Sequence, residues 1–206
     1  MAESFAVFVN GLTEVDFTKD AAGNIKRAAS KAINTITRNK RTRAAKLIRD
    51  EVNLPASYVA PGGKGLWVSQ MASPGNLQGK ITARGRATSL ARFVTNNARE
   101  GKPGVVVEVA PGKARFMKRA FMIRLPGQAG STDLGRANMG LAIRLRPGER
   151  LANKTSARRV AKGLYVLYGP SVDQVFRAIS GDGVANDLIP EIERDLSEEF
   201  LRLLEL

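Results

Sequence analysis

The chain has 206 residues, of which 43% are hydrophobic, and its 33 lysines and arginines outnumber 19 acids to give a formal net charge of +14. It contains neither cysteine nor histidine, which excludes disulfides, Cys/His zinc sites, thiol nucleophiles and Ser-His-Asp relays. The sequence has no run of eighteen apolar residues, and its first residues lack the basic start and apolar stretch of a signal peptide. We therefore expect neither a membrane span nor a secretory leader.

The positive charge is unevenly distributed along the chain. Residues 19–52 carry ten lysines and arginines against three acids, residues 80–124 carry eleven against two, and residues 136–177 carry nine against two. Residues 182–206 reverse the balance, with eight acids against two arginines. A basic body with an acidic end indicates docking either on DNA or on copies of the same chain.

Helical periodicity is strongest near the two ends of the chain. Residues 4–9 are apolar and β-prone, and residues 16–52 then follow a 3.6-residue apolar repeat that fits two abutting helices or one long bent helix. Residues 188–206 predict an acidic amphipathic helix. Its apolar face is expected to pack in the core and consists of Leu188, Ile192, Leu196, Phe200 and Leu203.

The middle of the chain predicts short strands. Prolines and glycines favour a long irregular loop at about 54–78, in which only residues 66–70, around Trp67, are strand-like. Further on, Pro/Gly turns separate apolar runs at 81–83, 89–94, 104–109, 120–125, 140–145 and 165–168. The sequence thus predicts a single α+β domain over 1–206. Its parts are a long N-terminal helix region, an antiparallel sheet of about 4–6 short strands, and C-terminal helices.

The junction at residues 163–177 is the most clearly defined local signal. A β-prone run ends at Gly169-Pro170, Ser171 is a good helix N-cap, and Gln174 stands three residues later. This spacing is typical of a capping box, in which the two side chains satisfy backbone N–H groups at the helix start. It predicts a strand followed directly by a helix.

No constellation of residues predicts catalysis. The segment GNLQGK at 75–80 has the wrong glycine spacing for a phosphate loop and lacks Ser or Thr after its lysine, and no acidic cluster has the density of a calcium site. We expect no enzyme, cofactor or metal.

The candidate contacts, either to other subunits or to DNA in a ring lumen, are basic residues. They are the helical cluster Arg38, Lys40, Arg41 and Arg43, which also fits a solvated face, and the loop Arg158, Arg159 and Lys162.

Several segments together resemble a known family. They are RGRATSLARFV at 84–94, VVVEV-APGK at 105–113, FMIRL at 121–125, GLAIRL-RPGE at 140–149 and GLYVLYGPSVDQVF at 163–176. The set, over roughly residues 20–200, is similar to the minor tail protein Z family of tailed phages and prophages. The resemblance implies a virion component, made in the host bacterial cytoplasm, that completes the tail of a long-tailed phage and makes it competent to join the head.

Two functions therefore remain open. The first is a non-enzymatic structural protein at the neck or head–tail junction, which forms a ring of its own copies, with a hexamer as one option. Its other partners would be the tail terminator and head–tail connector proteins and, non-specifically, packaged DNA, with no membrane involved. The alternative is a sequence-independent DNA-binding protein, because the sequence shows no compact base-reading motif.

Overall fold

The computed structural model describes residues 5–8, 19–125, 139–151, 156–181 and 188–204. The helices in these ranges are α1 (Lys19–Glu51), α2 (Ala56–Val59), α3 (Val172–Gly181) and α4 (Leu188–Leu204). The strands are β1 (Phe5–Phe8), β2 (Leu66–Gln70), β3 (Gln78–Ala83), β4 (Thr88–Ser89), β5 (Val105–Glu108), β6 (Ala114–Met117), β7 (Ala120–Arg124), β8 (Met139–Arg144), β9 (Ala157–Ala161) and β10 (Leu164–Gly169).

The strands pair antiparallel, and the α+β class, with an N-terminal helix and C-terminal helices, is confirmed. The expected antiparallel sheet of about 4–6 short strands is confirmed by the five-stranded sheet β4-β10-β8-β7, in which β9 is added on β10. Over the described ranges two further sheets are present, the three-stranded β1-β3-β2 and the two-stranded β5-β6. The sequence patterns missed two of these strands, β6 and β9.

The chain forms two compact units, each assembled from separate stretches of sequence. Unit 1 comprises Met1–Ile48, Ser57–Gly85 and Phe176–Leu206, and unit 2 comprises Arg49–Ala56 and Arg86–Val175. The boundaries fall inside α1 and α3, so no single cut in the chain separates the units. The expectation of one domain over 1–206 stays a prediction.

Unit 1 is built around α1, which runs without interruption for 33 residues and so decides between the one-helix and two-helix alternatives. The apolar face read from the sequence is largely buried, with Ala32 and Ile36 among its core residues. Strand β3 approaches this face closely at Gly79, where a Cβ would collide with Thr37 Oγ1 and lie 3.2 Å from Ile33 Cγ2. A glycine is required there because helix and strand leave no room for a side chain.

The segment at 54–78 is more ordered than expected. Strand β2 confirms the strand-like run around Trp67. The rest of the segment is not wholly irregular as expected, because the short helix α2 lies before β2. The carbonyl of Tyr58 accepts a hydrogen bond from the backbone N–H of Gly65 at 2.9 Å, which closes the turn after α2. The Asn34 amide also binds Ala72 through both backbone groups, at 2.9 Å and 2.7 Å. Side chains of α1 thus supply partners that the loop sequence lacks.

Unit 2 contains the five-stranded sheet and the β5-β6 hairpin. Its core includes Val105, Met122, Leu141 and Val166, which are at most 2% exposed. The expected strand at 89–94 is wrong beyond Ser89, since Leu90–Phe93 forms a short 3₁₀ helix. Ser89 Oγ accepts from the Ala91 N–H, and a hydroxyl that caps a turn in this way competes with strand pairing.

The predicted capping box is confirmed at the start of α3. The Gln174 N–H donates to Ser171 Oγ at 3.0 Å, and the Ser171 N–H donates to Gln174 Oε1 at 2.9 Å. Both residues lie in unit 2, and Ser171 is fully buried. Two backbone donors that the first helical turn leaves unpaired are thereby satisfied.

Helix α4 confirms the acidic C-terminal helix, but its apolar stripe is not in the core as expected. Ile192, Leu196, Phe200 and Leu203 are half-buried, and Leu201 is 58% exposed. The helix contacts α1 through the carboxylates of Glu191 and Asp195, and Leu203 of the apolar stripe also lines a groove between α1 and α4, as described below.

Candidate interaction surfaces

Lys40 is a buried structural cation, although the sequence suggested a surface contact. Its Nζ lies 2.6 Å from Asp195 Oδ2 and 3.2 Å from Glu191 Oε1 on α4, and its side chain is 8% exposed. The hydrogen bond from Lys40 lowers the pKa of Asp195 below its usual range, and a second bond from Arg194 adds to the effect. Lys40 is therefore withdrawn from the set of contact candidates, because an amino group held by two carboxylates cannot also reach a phosphate.

Arg41 is also buried, so it is not the surface contact that the sequence suggested. Its Nη2 donates to the carbonyl oxygen of Val59 and, at 3.0 Å, to that of Leu66. Burial lowers the pKa of this guanidinium from its ordinary value. Arg41 thus fastens the segment between α2 and β2 to α1, and it is not available to a partner.

Arg38 and Arg43 remain on the surface of unit 1, as the sequence predicted. Arg38 lines an open groove of about 330 Å³ between α1 and α4, together with Lys31, Thr35 and Leu203. On the α4 side of the groove, Arg202 holds Glu199 through two hydrogen bonds of 2.7 Å and 2.8 Å. That pairing lowers the pKa of Glu199 and leaves Arg38 as an exposed cation at the rim.

Arg158, Arg159 and Lys162 lie in unit 2 and are exposed. The expectation of a loop is wrong for the two arginines, which belong to β9, while Lys162 occupies the β9–β10 turn. The register places Arg158 opposite Val166 and Arg159 opposite Tyr165, so the two side chains leave opposite faces of the ribbon. A partner at this edge would meet the arginines along a strand and not on an adaptable loop.

The best-defined ion pair of unit 2 joins Arg119 to Glu149. Two hydrogen bonds of 2.8 Å link the guanidinium to the carboxylate, and Arg119 Nη2 also donates to the carbonyl of Arg144 at 2.8 Å. The hydrogen bond from Arg119, helped by the Arg146 N–H, lowers the pKa of Glu149 to about 2. This pair holds the turn before β7 against the segment that follows β8.

The acidic helix α4 offers less negative charge to a partner than its sequence suggests. Glu191 and Asp195 contact Lys40, Glu199 contacts Arg202, and Glu198 lies 4.0 Å from Arg194. Of its five carboxylates, Glu193 alone has no ion-pair partner among the residues that the structure describes. Attraction between the acidic end of one copy and the basic body of another is weakened accordingly.

The net charge is concentrated in unit 2. Its sequence contains 18 lysines and arginines against 7 acids, a formal net charge of +11, whereas unit 1 contains 15 against 12, or +3. Within unit 2 the exposed cations include one set that the sequence analysis did not choose, on the β5-β6 hairpin around Phe116. The signal that could have found it is the alternation KARFMKR at 113–119, in which an aromatic residue stands among four cations.

Over the described ranges, no group of three or more acidic side chains is placed to hold a metal ion, and no helix is long and apolar enough to cross a membrane. Comparison of the sequence with protein-family models finds no match. Comparisons with curated proteins and with solved structures likewise find none.

Proposed function

We propose that the chain is a non-enzymatic structural protein of a long-tailed phage virion, made in the bacterial cytoplasm, that completes the tail at the neck. Because no family model matches, the proposal is carried by the set of motifs that resembles the minor tail protein Z family. These motifs fall at residues 84–176, almost the whole of the larger stretch of unit 2. The motifs that carry the resemblance, which itself extends over roughly residues 20–200, therefore lie almost entirely in one compact, strongly basic unit.

In this role the protein forms a ring of its own copies, with a hexamer as one option, between the tail terminator and head–tail connector proteins. The concentration of charge supports such a position, since exposed cations of unit 2 in a ring lumen would tolerate passing DNA. Charge complementarity between copies supports it less, because α4 already uses most of its carboxylates. Subunit contacts would then depend on other surfaces.

Deletion of the gene from the phage or prophage that encodes it tests the proposal. The expected result is filled heads beside unjoined or defective tails in electron micrographs, restored when the gene is supplied in trans. Normal joined particles in the deletion strain would refute it. The ring is tested separately by light scattering of the purified protein, where a closed ring gives a multiple of 22.2 kDa and a monomer at every concentration contradicts it.

A second function, sequence-independent DNA binding, is favoured by the +11 charge of unit 2. Arg158, Arg159 and Lys162 would contact phosphates from the β9–β10 ribbon, and Arg38 and Arg43 would do so from α1. Filter binding of duplex DNA against salt concentration should show a steep loss of retention, because each contacted phosphate releases counterions. No retention at low salt would remove this candidate.

A further inference from the structure

The β5-β6 hairpin carries an aromatic side chain that the core does not use. Phe116 is 64% exposed, more than any other large hydrophobic side chain in the described part of the chain. It stands opposite Val106 on β5, on the face away from the buried Val105 and Val107. Over the described ranges β6 pairs only with β5, so Phe116 lies on an outer strand of this two-stranded sheet.

The aromatic ring of Phe116 lies beside the backbone of Gly104. Gly104 has φ of +100°, and the nearest ring carbon of Phe116 lies 3.5 Å from the position that a Cβ of Gly104 would take. The backbone at Gly104 is itself fixed, because its N–H donates to the carbonyl of Ala120 at 3.0 Å. One side of the ring therefore rests near a fixed backbone while much of the ring is open to solvent.

Exposed cations precede and follow Phe116 along the outer strand. The register sets Arg115 opposite Val107, so Arg115 points to the other face of the hairpin and positive charge lies on both sides of this edge. Lys113 and Arg115 precede Phe116, Lys118 follows it, and Lys102 lies two residues before Gly104. None of the four forms an ion pair with a carboxylate in the ranges that the structure covers. The one acid of the hairpin, Glu108, accepts a hydrogen bond from the Gly112 N–H at 2.7 Å and so stabilises the turn.

We propose that the β5-β6 hairpin is a binding site for single-stranded nucleic acid, with a base stacked on Phe116 and phosphates on Lys113, Arg115 and Lys118. A single exposed aromatic ring among cations matches a strand that presents flat bases and a phosphate backbone together. A protein partner is less suited, because protein interfaces centre on apolar patches depleted of charge, whereas Phe116 stands on a hairpin that exposes Lys113, Arg115 and Lys118. A duplex is also less suited, because its bases are already stacked on one another.

This site goes beyond tail completion and does not depend on it. The test uses the full-length protein and a short fluorescein-labelled oligo(dT), with a duplex of equal length as the comparison, in anisotropy titrations. Phe116→Ala should weaken oligo(dT) binding by about 5- to 150-fold, the effect of losing one stacked base, and leave duplex binding within about twofold. Phe116→Trp should retain binding.

Val160→Ala is the matched control. Val160 is 46% exposed on β9 between Arg159 and Lys162, and its side chain cannot stack, so the substitution should leave oligo(dT) affinity unchanged. Because Phe116 is mostly exposed, F116A should also unfold at a temperature close to that of the natural protein, which the melting curve verifies. Equal affinity of F116A and the natural protein for oligo(dT), or equal weakening of oligo(dT) and duplex, would overturn the proposal.

The contribution of the hairpin cations is measured separately, by the salt dependence of oligo(dT) binding. The triple variant K113A/R115A/K118A should reduce the slope of log affinity against log salt by about 2, whereas F116A should leave that slope unchanged. If F116A instead lowers the oligomeric mass and leaves oligo(dT) binding intact, Phe116 contacts another copy and the proposal is wrong. If the natural protein is a monomer and still binds oligo(dT), the subunit ring is refuted and this site stands.

Discussion

Unit 1 and unit 2 differ in what their cations contact. In unit 1, Lys40 and Arg41 are buried and bind carboxylates and backbone carbonyls, and Glu191 and Asp195 of α4 contact α1 through Lys40. In unit 2, Arg119 is bound by Glu149, but Arg158, Arg159, Lys162 and the hairpin cations have no carboxylate partner among the described residues. A high net charge therefore does not identify which residues bind a partner. Some of these cations hold the fold, and others are left for a partner.

Substitution of Lys40 should have the largest effect and tests whether the cations of unit 1 are structural. Lys40→Met keeps the aliphatic stem but leaves Asp195 and Glu191 without their shared cation, while the two carboxylates, 28% and 31% exposed, keep some hydration. We expect a loss of about 1–3 kcal/mol in the free energy of unfolding, measured by urea denaturation. Lys46→Met, at an exposed position of the same helix, is the control. Equal denaturation midpoints for both variants would contradict the structural role of Lys40.

The pH dependence of stability tests the contribution of the Arg119–Glu149 ion pair in unit 2. Because the pKa of Glu149 falls from 4.5 to about 2 in the fold, the folded protein binds fewer protons than the unfolded chain between these values. The contribution of Glu149 is thus fully present above about pH 4.5 and is lost as the pH falls toward 2. The difference in melting temperature between the natural protein and Glu149→Gln should be constant near neutrality and shrink in acid.

Glu193→Gln is the reference for this titration, since Glu193 forms no ion pair in the part of the chain that the structure covers. Its melting temperature near neutral pH should be close to that of the natural protein, because no ion pair is removed. A difference for Glu149→Gln that grows as the pH falls would contradict the role assigned to the Arg119–Glu149 pair.

The smallest expected effect on stability is at the β9 arginines. The double variant R158A/R159A removes two exposed cations, so we expect a change within about 0.5 kcal/mol in the free energy of unfolding. The same variant should flatten the salt dependence of duplex DNA binding if unit 2 binds DNA. A destabilisation as large as that of K40M would show that the cations of unit 2 are structural as well.

Local signals in the sequence predicted a substantial part of the fold. The capping box at Ser171 and Gln174, the helical periodicity in the region of α1 and the strands β5, β7, β8 and β10 all depend on residues close together in the chain. Strand β9 was missed because Arg158 and Arg159 are weak strand signals, and its order comes from pairing with β10. In the helical cluster of candidate contacts, Arg38 and Arg43 are exposed, whereas Lys40 and Arg41 are buried.

The α+β class, the elements near both ends of the chain, the absence of cysteine and histidine chemistry and the excess of positive charge could all be predicted from local patterns and composition. Which cations are available to a partner could not, because it depends on carboxylates and carbonyls far along the chain. Lys40 and Asp195 are 155 residues apart in sequence, and the carbonyls that bind Arg41 belong to a segment that looked irregular. Charge is a property of the residue, but its exposure and its partner are properties of the packed chain.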